Sequence, residues 1–171
     1  YIESFSIPGF SLSNTSRRAY DLPSFSFSHV LGYTGKISPD EISTRKNDYS
    51  PIDYIGKSGL EKSWEESLRG APGVKQIEVD ALGKEKKVVS ETPSIAGDNV
   101  TLSIDAVAQQ KLEEIMASYL NKAGLKKGAA VIMDPNNGEV ISMISLPAYD
   151  NNVFARGITT DEYKALSESP D

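Results

Sequence analysis

A chain of 171 residues, 39% hydrophobic and 25% charged, has the apolar material to fold and room for one full domain or a modest domain plus part of a second. Its net charge of -6 leaves no broad basic surface for nucleic acid, its single histidine (His29) rules out a histidine-rich metal site, and the lack of cysteine rules out disulfides, a zinc ribbon and thiol catalysis. No apolar run approaches the roughly 20 residues of a membrane span, and Tyr1-Ile2-Glu3-Ser4-Phe5 lacks the basic and apolar regions of a signal peptide, so any targeting segment is expected outside this sequence.

Residues 1–22 are polar, with a Pro8-Gly9 turn, and read as irregular chain entering a domain. The alternation Ser24-Phe25-Ser26-Phe27-Ser28-His29 predicts a strand with Phe25, Phe27 and His29 on one face, and His29 half-buried and bonded to a backbone group. A loop-rich stretch with a short helix near Pro39-Asp40-Glu41 follows. Ser58 and Glu61 have capping-box spacing, and Leu60, Trp64 and Leu68 recur every four residues, so one amphipathic helix is expected from Ser58 to Arg69, with Trp64 in the core. Glu65 and Glu66 read as its solvated face. Val74–Asp80 and Lys87–Val89 predict a hairpin around Leu82-Gly83-Lys84. Pro93–Gly97 then reads as a boundary.

Beyond it, Val100–Ile104 predicts a strand and Asp105 a helix cap. Ala108, Leu112, Ile115, Met116, Tyr119 and Leu120 form the stripe of a helix packed on a sheet, ended by Gly124. Ala129–Met133 and Glu139–Ile144 predict a second hairpin about Asn137-Gly138, and Thr160–Leu166 one or two helical turns.

Three ordered blocks then carry a resemblance. They are Arg18 and Tyr20 with His29-Val30-Leu31-Gly32-Tyr33-Thr34-Gly35, then Gly56-Lys57-Ser58-Gly59-Leu60-Glu61 running to Leu68-Arg69-Gly70, then Leu102-Ser103-Ile104-Asp105 with Gln109 and Val131–Asp150. Together they resemble class B penicillin-binding proteins. The resemblance implies an α+β fold: a β-rich pedestal or dimerisation-type module over residues 1–96, followed over 97–171 by an incomplete α/β transpeptidase lobe of one helix on a β-hairpin. It implies structural or interface roles for Arg18, Tyr20, His29, Gly32, Ser58, Glu61, Arg69 and Asp105, with Glu61 and Arg69 as a candidate buried pair. It also places the catalytic Ser-x-x-Lys, Ser-x-Asn and Lys-Thr-Gly signatures after this sequence, so no catalytic, cofactor or metal residue is expected in it. Three departures stand out, since Tyr20 is separated from Pro23, Ser142 stands where a small apolar residue is commoner, and Asn151 stands where Pro is common after Asp150.

The partners implied are the remainder of the transpeptidase domain, a membrane glycosyltransferase and a periplasmic scaffold, with self-association through uncovered apolar surface. An extracytoplasmic location follows, with the parent protein anchored in the cytoplasmic membrane by an N-terminal helix. Residues after about 146, cut from their sheet, are expected to be poorly ordered or held by a neighbour. Two alternatives stay open: a self-contained serine acyltransferase using Ser43 and Lys46, which spell Ser-x-x-Lys, and a free-standing periplasmic adaptor.

Overall fold

The computed structural model describes residues 17–22, 24–45, 49–81, 83 and 85–167. The Pro8-Gly9 turn, Lys46 and two residues of the first hairpin turn, Leu82 and Lys84, lie outside the described residues.

The Ser-Phe repeat is not a strand. Phe25–Phe27 is a single 3-10 turn that runs into helix α1 (Ser28–Leu31). Ser24 starts it, its Oγ accepting from the Ser26 amide at 3.1 Å, because a serine hydroxyl competes for nearby backbone groups. Helical spacing separates what strand spacing would align: Ser26, Phe27 and Ser28 are buried in succession, while Phe25 and His29 face outward.

Strand β1 (Thr34–Lys36) pairs antiparallel with β2 (Tyr54–Gly56), with helix α2 (Pro39–Thr44) between them in the chain. The capping box belongs to α2: Ser38 Oγ accepts from the Glu41 amide at 3.3 Å, Glu41 Oε2 accepts from the Ser38 amide at 2.7 Å, and Pro39 opens the first turn. Ser58 does precede helix α3 (Gly59–Ser63), but its side chain makes no capping bond. The expected single helix breaks at Trp64 (φ −112°, ψ 19°), and α4 (Glu65–Arg69) continues from there.

The inward face of this broken helix is acidic. Glu61 and Glu65 are 7% and 6% exposed, whereas Trp64 is 49% exposed, so Trp64 is not core and Glu65 is not solvated. Apolar spacing misleads here because each carboxylate has its own donors, and a buried charge so supplied is tolerated.

β3 (Val74–Val79) and β4 (Glu85–Thr92) form the first hairpin, with register shifts that skip Val89 and Lys86 on β4. Every residue of both strands whose burial is described is exposed. The hairpin's base is fastened by Ala71 and Ile95, which exchange backbone hydrogen bonds at 2.9 Å in both directions.

Val100–Ile104 is not a strand either; Ser103 Oγ donates to the Val140 carbonyl at 2.8 Å and the Asp105 amide to the Ile141 carbonyl at 2.9 Å. Helix α5 (Ala106–Ala123) begins where expected, with Asp105 Oδ1 accepting from the Val107 and Ala108 amides at 2.8 and 2.9 Å, and ends at Gly124 in the left-handed conformation. Leu112, Met116 and Leu120 lie on its sheetward side, but Ile115 and Tyr119, at 45% and 67% exposed, do not. β5 (Gly128–Met133) and β6 (Val140–Leu146) pair antiparallel beneath it.

Residues 147–167 are not loose chain. Helix α6 (Asn151–Ala155) packs on β1, with Asn151 and Ala155 at 1% and 2% exposure, and α7 (Thr160–Ser167) follows on the surface. Side chains of Tyr149, Asn151 and Asn152 tie this segment to the first half of the chain, as described below. The architecture is α+β, three small antiparallel pairs with short helices against them. Among the described residues the buried apolar side chains are Phe27, Ile37, Ile55, Ile144 and Ala155, outnumbered by buried polar ones. That imbalance marks where the molecule is joined.

Candidate interface between the two halves of the chain

Three side-chain amides tie residues 20–32 to residues 109–152. Gln109 sits on the inner face of α5, fully buried. Its Oε1 accepts from the Met143 amide at 2.9 Å and the Ser142 hydroxyl at 2.8 Å; its Nε2 donates to the Met143 carbonyl at 2.7 Å and the Ser26 carbonyl at 3.3 Å. Both donors and both acceptor sites of the carboxamide are therefore used, which is what permits its burial. Asn151 Nδ2 donates to the Ser28 carbonyl at 3.3 Å, which also takes the Gly32 amide, and to the Gly32 carbonyl just past the end of α1. Asn152 pairs with both backbone groups of Tyr20, accepting from its amide and donating to its carbonyl, each at 2.9 Å.

Aromatic packing surrounds these bonds. Tyr33 stacks on Phe154 with centroids 4.0 Å apart, and Tyr149 meets Phe154 and His29 edge-on at 5.3 and 5.2 Å. The Tyr149 hydroxyl donates to the Ser28 carbonyl at 3.2 Å, and burial pushes that phenol's pKa up. Ser24 Oγ donates to Glu113 on α5.

The residues singled out from sequence fall into four places. Arg18, Tyr20 and Glu61 form one cluster: Arg18 Nε and Nη2 reach the two Glu61 oxygens at 2.9 and 3.2 Å, a forked pair, and Tyr20 Oη accepts from the Thr34 amide at 3.1 Å. Burial first, and the Glu61 charge second, push the Tyr20 phenol up to about 12. His29, Gly32 and Ser58 gather at the aromatic group. His29 Nε2 donates to the Pro147 carbonyl at 3.0 Å, a backbone partner as expected, although from an exposed helix rather than a half-buried strand. Gly32 (φ +73°) lies against the backbone of Ser58 and Gly59 so closely that a β-carbon would stand 2.0 Å from the Ser58 carbonyl oxygen. Ser58 Oγ is buried beside the Tyr149 hydroxyl, whose proton is directed at Ser28, and completes no hydrogen bond among the described residues.

Arg69 stands apart. It pairs with Asp53 at 3.2 Å and lies 3.6 Å over the Tyr49 ring, so the expected pairing of Glu61 with Arg69 does not occur. Tyr49 in turn donates to Glu65 Oε1 at 3.1 Å, and the Gly56 amide donates to Glu65 Oε2 at 2.7 Å. Asp105 caps α5, at the edge of the joint rather than inside it.

Sequence reasoning missed Asn152, had Ser142 and Asn151 only as departures from the family pattern without a role, and had Gln109 only through resemblance. The available signal was four amide and hydroxyl residues set among apolar ones at helix and strand positions, where each must find partners once buried. Ser43 is on exposed α2 with its hydroxyl donated to the Asp40 carbonyl at 2.7 Å. Among the described residues no group of three or more His, Cys, Asp or Glu is placed to hold a metal, and no helix is long and apolar enough to cross a membrane. The arrangement is chemically that of a joint, made of neutral amides with one forked ion pair beside it.

Residues 2–102 match the family model described as the penicillin-binding protein dimerisation domain. The chain is 32% identical to the peptidoglycan D,D-transpeptidase MrdA of Haemophilus influenzae, with 96% of this chain and 26% of that protein covered. It is 33% identical to penicillin-binding protein 3 of Bacillus subtilis, with 97% and 23% covered. Among solved structures it is similar to Helicobacter pylori PBP2 (TM-score 0.66, 32% identity, 90% of this chain and 28% of that one) and to the same protein in complex with MreC (TM-score 0.67, 29% identity, 84% and 25%). The chain thus spans about a quarter of the length of these relatives. The forked Arg18–Glu61 pair and the Gly32–Gly59 contact lie within the matched residues, and this chain belongs to the penicillin-binding protein dimerisation-domain family.

Proposed function

We propose that this chain is a non-catalytic part of a longer peptidoglycan D,D-transpeptidase: residues 1–96 serve as a pedestal, residues 97–171 begin the transpeptidase lobe, and the work of the whole is to hold that lobe in a fixed attitude and to offer surfaces to other cell-wall proteins. The observation that carries this reading is the triple amide joint of Gln109, Asn151 and Asn152, which fastens the first segment of the pedestal to the helix, hairpin and tail of the second. Direct backbone readout by side chains fixes orientation, because the hydrogen bonds are directional and the groups are buried. The likeness to relatives named as D,D-transpeptidases supports the parent activity, and the Helicobacter pylori complex of PBP2 with MreC supports a further protein, a periplasmic scaffold of the elongation or division machinery, as a partner. A membrane glycosyltransferase is a second partner, and exposed apolar residues such as Val89, Val107 and Tyr119 support contact with further protein, a second copy included. The location is extracytoplasmic, on a membrane-anchored parent.

Fluorescent penicillin tests the assignment of chemistry. The purified 171-residue chain stays unlabelled, while the longer protein that contains it is acylated on a serine outside residues 1–171. Stoichiometric labelling at Ser43 would replace this reading with that of a self-contained serine acyltransferase.

A further inference from the structure

We propose that Asn152 is a positioning residue: its carboxamide is a one-residue substitute for a β-strand neighbour, and it sets the register of the Tyr20 segment and so, beside the Asn151 and Phe154 contacts, the attitude of the first half of the chain against α6. The inference rests on the proposed holding role and names the residue that decides it. Asn152 Oδ1 accepts from the Tyr20 amide and Asn152 Nδ2 donates to the Tyr20 carbonyl, both at 2.9 Å, the double bond pattern that one residue of an antiparallel strand makes with its opposite. The amide cannot flip, because the second Nδ2 hydrogen goes to Asp150 Oδ1 at 3.0 Å, and that oxygen also accepts from the Asn152 backbone amide at 2.9 Å. Asp150 is thus the group that orients the reader.

Tyr20 passes the alignment on. Its phenol oxygen takes the Thr34 amide of β1 and adjoins Glu61 of α3, which holds Arg18 in a forked pair. A continuous polar path therefore runs from the cap of α6 through Asn152 and Tyr20 to β1 and α3. Tyr20 is the only member that touches both ends of it, and its backbone is held by Asn152 on both its donor and its acceptor. Gln109 and Asn151 grip other points, the 3-10 turn and the end of α1, and neither contacts Tyr20 in this way.

Replacing the amide by its isosteric acid separates alignment from packing. In Asn152→Asp the volume is kept, but an ionised carboxylate faces the Tyr20 carbonyl and the Asp150 carboxylate, both acceptors. Of the nearby cations, Arg156 just past the end of α6 is paired with Glu162, and Arg17 reaches the Arg156 carbonyl at 3.5 Å. Two facing acids raise the pKa of the new group, so in acid it is protonated first in the folded state and regains a donor toward Tyr20. Because the chain lacks cysteine, spin labels can be placed through cysteines introduced at the exposed positions Lys62 on α3 and Lys122 on α5.

The expected result is one narrow label-to-label distance for the parent chain at pH 7 and at about pH 4.5, a broadened one for Asn152→Asp at pH 7 that narrows again at about pH 4.5, and a broadened one for Asn152→Ala at both. Exchange of the Tyr20 amide should accelerate by about tenfold or more wherever the distance broadens. A narrow distance for Asn152→Ala at pH 7 overturns the proposal, and so does acid recovery in Asn152→Ala, which has no new acid to protonate. The alanine variant adds no charge, so it decides the matter even if Asn152→Asp does not fold at pH 7. These readings are made on this chain alone and stand or fall apart from penicillin acylation of the longer protein.

Discussion

Gly32 and Gly59 approach each other where no side chain fits. Both have positive φ, at +73° and +57°, and a β-carbon on Gly59 would stand 2.6 Å from the Val30 carbonyl oxygen. Gly32→Ala should therefore destabilise the chain by about 3 kcal/mol or more, combining left-handed strain with a backbone collision, as read from urea denaturation. A variant with parental stability would mean the two loops can part. At Glu41 the consequence is one of pH. The Lys57 ammonium first, and the Ser38 amide second, hold its carboxyl at about 2, below the ordinary 4.5. A depressed folded-state pKa contributes stability that is complete above 4.5 and is lost as pH falls toward 2. The stability gap between the parent and Glu41→Gln should accordingly be constant near neutrality and shrink across that acid window. A gap that does not narrow would show the Lys57 contact to be absent in solution.

At the scale of elements, the β3–β4 hairpin is only loosely bound to the rest of the described residues. Its described faces are all exposed and its base is fastened by the Ala71–Ile95 pairing, so it contributes little to the core. Replacing residues 74–92 with a short Gly-Ser link between Gly73 and Pro93 should leave the fold intact and move Tm by less than about 5 °C. Collapse of the near-ultraviolet circular dichroism would show that the hairpin does carry part of the fold. The elements also show which sequence patterns are trustworthy. Asp105 starts α5, and Asn137-Gly138 turns β5 into β6, because a cap and a tight turn are local, decided within four or five residues. The Ser24–His29 alternation fails because serine hydroxyls can satisfy a helical turn as well as a strand, and the sheet that would have chosen between them is absent at that point. The Ser58–Arg69 stripe fails for a different reason: Leu60, Trp64 and Leu68 have the spacing of a core face, but Gly56 and Arg18 supply donors to the acidic side, and the helix breaks to present it.

For the whole molecule the question is whether its two halves fold as one. Trp64 lies in the first half, and α5, α6 and α7 in the second together hold most of the helical residues, so tryptophan fluorescence reports on the first half and far-ultraviolet circular dichroism is weighted toward the second. The parent should show coincident transitions by the two probes. Gln109→Leu leaves the Met143 amide and carbonyl, the Ser26 carbonyl and the Ser142 hydroxyl without their buried partner. It should cost about 3 kcal/mol or more and separate the two transitions. Coincident transitions in that variant would show the halves to be coupled by apolar packing instead.

From sequence alone, this protein's fold class, its family resemblance and the starts and stops of α5 and of the β5–β6 hairpin are determined, because composition, caps and turns act over a few residues and need no distant partner. The identity of the joint is decided by tertiary structure. Arg18 meets Glu61 rather than Arg69, and Asn152 meets Tyr20 across 132 positions, because a polar side chain can be buried only where folding brings a complementary group, and no periodicity records which group that is. The tail after residue 146 is the clearest case. Its composition reads as loose chain, yet Tyr149, Asn151 and Asn152 each find a backbone group in residues 20–32, and those bonds, with Phe154 stacked on Tyr33, hold the segment against the first half.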